Sequence, residues 1–267
     1  MLLREVEYAR PASVQEALRL LAEHEGARAL AGGQTLINVM KARAASPDVL
    51  VDLHDLEELR GIELGADGTL ELGAMTTYAD IIGSAEARAR PILGEVCAQI
   101  ADVQVRNRGT IGGNVCSNDP TNHLPPLLVA IGATMTILGT GGERSVPAAE
   151  FFLGVYMTAA GPGELLTKIA VPPGKNDGFA SVPIGRDGTC IVNVAASLNG
   201  DARLAIGCVD AVPVILEPQA TEDDAIREAV RGANLDPPAD VHATADYRRH
   251  LAEVLSVRAV KQARKGS

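Results

Sequence analysis

The chain has no tryptophan, and its 267 residues contain only three phenylalanines and four tyrosines. With aromatics at 3%, its apolar core must be built from Leu, Val, Ile and Ala. The same shortage argues against an aromatic stacking platform for single-stranded nucleic acid. Excess positive charge is also missing: 24 Lys and Arg stand against 34 Asp and Glu, a net charge of −10. That balance disfavours nucleic-acid and anionic-membrane surfaces. The first residues, Met1-Leu-Leu-Arg-Glu5, form no apolar signal core. The longest apolar stretch, Leu124 to Leu138, is short and broken by Pro125, Pro126 and Gly132, so no membrane span is expected. A cytoplasmic location follows as the expectation.

The four cysteines, Cys97, Cys116, Cys190 and Cys208, form no CxxC pair. They read as buried reduced thiols, not as ligands of a cluster or a structural zinc. No GxGxxG opens a helix, and GxxxxGK[ST], HExxH and GxSxG are all absent. The common nucleotide, zinc-protease and nucleophile-elbow signatures are therefore not in play. The scattered His24, His54, His242 and His250 read as surface residues.

Hydrophobic composition is ordinary, at 46%, and the pattern is mixed α and β. Ser13 and Glu16 predict a capped helix ending near Gly26. A strand over Ala27–Ala31 leads through Gly32-Gly33-Gln34-Thr35 into a helix from Leu36 to Lys41. Asp48–Leu53 reads as a strand, and Gly61–Gly73 as a hairpin turning at Asp67-Gly68. Helices are expected from Tyr78, over Ile92–Ala101 and over Leu124–Ile131. Strands are expected over Thr134–Leu138 and Glu164–Val171. Asp102 and Arg106 read as a helix-surface pair. Residues 172–178, rich in Pro and Gly, read as a linker. Beyond them, strands over Ile191–Leu198 and Arg203–Val209 flank an Asn199-Gly200 turn, and helices follow over 221–232 and 246–264.

Two glycine pairs carry the functional reading. Gly32-Gly33 and Gly112-Gly113 are each followed by an amide or hydroxyl side chain. Glycines there permit positive φ and close backbone approach. Successive N–H groups in such turns form anion nests, and a following helix adds its dipole. Two such loops facing one another would hold a diphosphate without Lys or Arg. Gln34, Thr35, Thr110 and Asn114 would supply further donors. The glycines alone suit several diphosphate cofactors. His123, just past the second loop, reads either as a ligand contact or as a polar residue at a helix start.

Around these loops the sequence resembles the flavoprotein (medium) subunits of the molybdenum hydroxylases, the family of carbon monoxide dehydrogenase and xanthine dehydrogenase. The resemblance is carried by Ala31-Gly-Gly-Gln-Thr-Leu-Ile37 with Met40-Lys41, and by Thr110-Ile-Gly-Gly-Asn114 with Asp119-Pro120 and Leu124-Pro125. It continues through Leu72-Gly-Ala-Met-Thr-Thr77, Ile100-Ala-Asp102, Gln104, Arg106 and Glu164-Leu-Leu166. It reaches Ile191-Val-Asn-Val-Ala-Ala196 and Tyr247-Arg-Arg249, and so covers nearly the whole chain.

The resemblance implies an α+β fold: a two-lobed vanillyl-alcohol-oxidase/PCMH-type FAD-binding domain over residues 1–175, then a small C-terminal α+β domain of the carbon monoxide dehydrogenase flavoprotein type over 176–267. It implies FAD as cofactor. Ala31, Gly32, Gly33, Gln34, Thr35 and Leu36, with Thr110, Ile111, Gly112, Gly113 and Asn114, would surround the pyrophosphate and neighbouring groups. Asp119 would approach the ribityl or phosphate region, and Leu166 the flavin or adenine. The family often has an acidic residue where this chain has His123. Carbon monoxide dehydrogenase places a Tyr against the flavin in a segment that here reads Asp187-Gly-Thr-Cys190, without an aromatic.

The implied role is an electron-transfer subunit. It would take electrons from a small partner with [2Fe–2S] clusters, fed by a large molybdopterin partner in a heterohexamer-like assembly, and pass them to an external acceptor. No metal ligand and no catalytic acid–base residue is expected in this chain. Two alternatives stay open at this level: a stand-alone FAD-dependent oxidoreductase of the same fold, and a non-catalytic protein that has lost FAD.

Overall fold

The structure, a computed structural model, describes residues 3–185 and 189–266. Three sheets follow one another along the chain, accompanied by a small two-stranded hairpin. The first lobe contains β1 (Glu7–Ala9), α1 (Val14–Glu23), β2 (Ala27–Leu30), α2 (Leu36–Lys41) and β3 (Val49–Asp52). β3 lies between β1 and β2, parallel to both. Val49, Leu50 and Val51 are all buried, the continuous apolar run that a central parallel strand requires. Ser13 caps α1, its Oγ accepting from the Glu16 N–H at 3.2 Å. Glu16 reaches back to the Ala12 N–H at 2.7 Å, one residue before the expected partner. The helix stops at Glu23, short of Gly26.

The second lobe is an antiparallel five-stranded sheet with helices. It comprises β4 (Ile62–Leu64), β5 (Leu70–Gly73), α3 (Tyr78–Gly83), α4 (Ile92–Cys97), α5 (Val103–Arg106), α6 (Ile111–Ser117) and α7 (Leu124–Ala130). Then come β6 (Thr134–Gly139), β7 (Gly142–Pro147), α8 (Ala148–Phe151), a hairpin of β8 (Phe152–Gly154) and β9 (Met157–Thr158), and β10 (Leu165–Val171). The sheet order is β4-β5-β10-β6-β7. Thr77 and Asp80 form a reciprocal capping box at the start of α3. Asp102 and Arg106 are not a pair. Asp102 caps α5 by accepting from the Val105 N–H at 2.9 Å. Arg106 donates instead to the carbonyls of Ile100 and Ala101, at 2.9 and 2.7 Å.

The third sheet runs β11 (Asp177–Pro183), β12 (Cys190–Ser197), β13 (Arg203–Gly207) and β14 (Val214–Leu216), antiparallel throughout. β11 begins inside the stretch read as a linker. Two helices follow, α9 (Asp223–Gly232) and α10 (Ala245–Ala263). Val192, Val194 and Ala196 share a core with α10, whereas Ala195 shares the core of the second lobe with α7. Both faces of β12 are thus covered, which explains its unbroken apolar sequence.

A buried ion pair ties the second lobe to the third sheet. Arg90, just before α4, donates through Nε and Nη2 to the two carboxylate oxygens of Asp177, at 2.6 and 2.8 Å. Its Nη1 donates to the Pro172 carbonyl, and Asn199 Nδ2 donates to Asp177 Oδ1 at 2.8 Å. Both charged side chains are essentially inaccessible. Such a pair needs every donor and acceptor engaged to offset its desolvation.

Candidate functional site

A cleft of about 880 Å³ opens between the first and second lobes. That is near the upper end of the ~300–1,000 Å³ usual for small-molecule sites, so it suits a ligand of dinucleotide size. Both glycine pairs lie in its wall.

The first pair sits on the turn from β2 to α2. Gly33 has φ of 72°, a left-handed conformation costly for any side chain-bearing residue. Gly32 has a different constraint: a Cβ there would collide with the carbonyl of Arg108, on the segment leading to the second pair. The turn is braced by its own side chains. Gln34 Nε2 donates to the Gly32 carbonyl at 3.1 Å, and Asn38 Nδ2 donates to the Gln34 carbonyl at 2.7 Å. Among the described residues, the backbone N–H groups of Gly33, Gln34, Thr35 and Leu36 donate to no protein acceptor. These four consecutive donors beside the cleft form a cradle for an anion.

The second pair is built otherwise. Gly112 and Gly113 lie in the first turn of α6, not in a loop. Thr110 caps this helix, its Oγ1 accepting from the Gly113 N–H at 3.1 Å. The Ile111 N–H donates to the Thr76 carbonyl, the Gly112 N–H to Ala74 and the Asn114 N–H to Thr110, all at 2.9–3.0 Å. With these donors already engaged, the second glycine pair does not form the expected nest. Its glycines serve close packing. A Cβ on Gly112 would lie 2.6 Å from the Ala74 carbonyl oxygen. One on Gly113 would lie 2.9 Å from Thr110 Oγ1 and 3.4 Å from Ala31 Cβ of the first loop. The two loops therefore meet, one as donor cradle and the other as wall.

Of the residues singled out from sequence, Ala31 to Leu36, Thr110, Gly112, Gly113, Asn114 and Leu166 line the cleft. Ile111 is buried behind the wall. Asp119 and His123 stand off it. Asp119 Oδ1 accepts from the Thr121 N–H and hydroxyl, at 2.9 and 2.7 Å, and its Oδ2 accepts from the Tyr156 hydroxyl at 3.1 Å. It thereby orients a tyrosine that does line the cleft. His123 is 2% exposed, stacks on Phe179 with ring centroids 5.7 Å apart, and has Nε2 3.3 Å from Cys190 Sγ. Of the segment without an aromatic, Asp187 and Gly188 lie outside the described residues.

Several wall residues were not singled out as site residues from the sequence: Arg28, Tyr78, Tyr156, Met157 and Glu164. Tyr78 directly follows the Thr77 cap, so its position could have been inferred from the capping box, but its burial could not. Arg28 and Glu164 are the charged residues of the described wall. Arg144 donates to the Glu164 carboxylate at 2.7 Å, and this bond holds the acid below its ordinary pKa. Among the described residues Arg28 pairs with no carboxylate and donates to the Ala27 carbonyl at 3.0 Å, so it leaves positive charge in the described wall. Burial raises the Cys116 thiol to about 12, leaving a protonated, unreactive wall group. Burial and the Asp119 carboxylate also raise the Tyr156 phenol.

A donor cradle, a neighbouring cation, apolar walls and hydroxyl and amide side chains suit an anionic dinucleotide. Among the described residues no group of three or more His, Cys, Asp or Glu could hold a metal ion, and no helix is long and apolar enough to cross a membrane.

Residues 4–174 match the family described as the FAD binding domain in molybdopterin dehydrogenase. The medium chain of carbon monoxide dehydrogenase from Afipia carboxidovorans is 38% identical, covering 97% of this chain and 96% of its own. The glyceraldehyde dehydrogenase medium chain of Sulfolobus acidocaldarius is 34% identical, over 97% and 98%. A solved chain of carbon monoxide dehydrogenase from Hydrogenophaga pseudoflava superimposes with a TM-score of 0.93, at 34% identity and 99% coverage of both chains.

Proposed function

The chain belongs to the FAD-binding medium subunits of the molybdenum hydroxylase family, and from that premise we propose that it works as an electron-transfer subunit of such an enzyme. Its cofactor is FAD. The observation that carries the reading is the four-donor cradle of Gly33 to Leu36, set against the wall of α6 in a cleft large enough for a dinucleotide. Bound FAD supplies reversible acceptance of electrons singly or in pairs.

The residues of this chain bind and orient. The cradle N–H groups bind the diphosphate, and Arg28 adds favourable charge. Apolar residues of the first lobe, among them Leu21, Leu36 and Val39, shelter an aromatic ring from water. Burial raises the Cys116 thiol and the Tyr78 phenol, so both stay protonated. In the proposed assembly, oxidation of a substrate belongs to other chains. The partners of the proposed assembly are a small subunit with [2Fe–2S] clusters and a large molybdopterin subunit. We place the domain boundary near residue 175, where the second lobe gives way to β11.

The test is purification under mild conditions from the native source. A yellow chain that co-purifies with iron and molybdenum supports the subunit reading. A yellow chain free of both metals that turns over a small donor unaided would mean a stand-alone flavin enzyme.

A further inference from the structure

Tyr156, at the tip between β8 and β9, is held in a conformation that the fold itself does not need. Its φ is 56°, in the left-handed region, where a tyrosine is strained and a glycine is not. Packing of the ring does not offset that strain. The residue is 62% exposed and stands outside the three apolar cores. Strain of this kind persists only where the surroundings enforce it, and it points to a use for the side chain.

The enforcement comes from the C-terminal end of α6. The Tyr156 N–H donates to the Asn118 carbonyl at 3.1 Å. Asn118 Nδ2 donates to the carbonyls of Gly154 and Met157, at 2.7 and 3.0 Å, and so grips the tip on both sides. Asn118 is buried and itself left-handed, with φ of 40°. The Tyr156 hydroxyl donates to Asp119 Oδ2 at 3.1 Å, and Thr121 holds Asp119 in turn. Backbone and phenol are both anchored, and the ring between them is left bare in the cleft wall.

Rings are scarce in that wall. Among the described residues lining the cleft, two carry one, Tyr78 and Tyr156, and Tyr78 is only 5% exposed. The neighbouring Met157 is 61% exposed and also lines the cleft, placing a polarizable thioether beside the Tyr156 ring. A flavin that exchanges electrons with another protein must lie where that protein can reach it, and this exposed tip meets the condition.

Resting on the FAD reading, we propose that Tyr156 covers one face of the isoalloxazine ring at the mouth of the cleft. Stacking of ring on ring offsets the strain of the left-handed backbone once the cofactor is bound. Adenine is a planar ring as well, and the test separates the two.

The experiment measures the affinity of the full chain for FAD and for ADP, which keeps the adenine and the diphosphate but lacks the flavin. The variants are Tyr156→Gly and Tyr156→Phe. Tyr156→Gly relieves the left-handed backbone, so the ligand-free melting temperature should stay close to that of the wild type. Its FAD affinity should fall about two- to tenfold, the size of one ring–ring contact, with ADP affinity unchanged. Tyr156→Phe keeps the ring and should retain most of the FAD affinity. Emission of the bound flavin provides a second readout. A phenol touching an excited isoalloxazine quenches it by donating an electron, and a phenyl ring does not. Bound-flavin emission should therefore rise severalfold in both variants. FAD affinity unaltered by Tyr156→Gly, emission unaltered by Tyr156→Phe, or ADP weakened as much as FAD would each overturn the proposal while FAD binding itself stands. A wild-type chain that binds neither ligand would overturn the FAD reading and this inference with it.

Discussion

Gly113 is where the two halves of the cleft touch, and its substitution discriminates best at the scale of single residues. A Val side chain there would press on Thr110 Oγ1 and on Ala31, 2.9 and 3.4 Å from the Cβ position. Gly113→Val should lower FAD affinity by more than about tenfold and shift the Thr110 cap, a loss of roughly 1 kcal/mol in stability. Titration of flavin fluorescence reads the first effect and urea unfolding the second; full retained affinity would refute the site. Gly112→Ala acts differently. Its methyl would meet the Ala74 carbonyl at 2.6 Å, so the expected damage is to folding before binding. Glu164 gives a prediction in pH. Its pKa is lowered, chiefly by Arg144, so its contribution to stability is present above the usual carboxylate range and fades as pH falls through its folded pKa. Glu164→Gln should flatten the acid side of the melting-temperature profile slightly. The effect is small because both partners are partly solvated, at 45% and 27% exposure.

Among the elements, the Arg90–Asp177 clasp joins the start of α4 to β11 and helps seat the third sheet, alongside the apolar contacts of Phe179, Ala195 and Ala205. Asp177→Ala leaves a buried guanidinium without its carboxylate, so a loss of about 3–5 kcal/mol is expected. Urea unfolding should show a much lower midpoint; a midpoint within error of the wild type would mean the clasp is dispensable. Elements defined by local rules were readable in the sequence. α1 has its Ser13 cap, β4 and β5 have their Asp67-Gly68 turn, and β12 and β13 have Asn199-Gly200. α6 was not readable, because Gly112-Gly113 has poor helix propensity, and its first turn is held by Thr110 and by distant carbonyls on Ala74 and Thr76. The β8–β9 hairpin was equally silent. It is short, and Leu153, Tyr156 and Met157 are all exposed, so no alternating pattern marks it. It is fixed from outside by Asn118, whose Nδ2 donates to the carbonyls of Gly154 and Met157 at 2.7 and 3.0 Å. For the same reason the glycine pairs could be found from sequence, whereas Arg28, Tyr78 and Tyr156 could not. Those three reach the cleft through pairings of residues far apart in the chain. Sequence also gave the two glycine pairs one shared role, and only the hydrogen bonds around α6 separate donor cradle from wall.

At the scale of the molecule, the cleft lies between lobes, so its ligand and its stability are linked. FAD bound across the first and second lobes should raise the unfolding free energy by about 2.7 kcal/mol at a hundredfold excess over Kd. Stripping the flavin should lower the melting temperature, and adding it back should restore it. The relatives of the chain are medium chains, those of glyceraldehyde and carbon monoxide dehydrogenases among them, and the role proposed for it is that of one subunit among several. Its flavin should therefore depend on other chains for electrons. The most direct measurement is anaerobic bleaching of the flavin by the substrate of the native enzyme. In the purified complex the flavin should be reduced, and in the isolated FAD-loaded chain it should stay oxidised until the partner subunits are added back. Prompt bleaching of the isolated chain, in the absence of iron and molybdenum, would contradict the account.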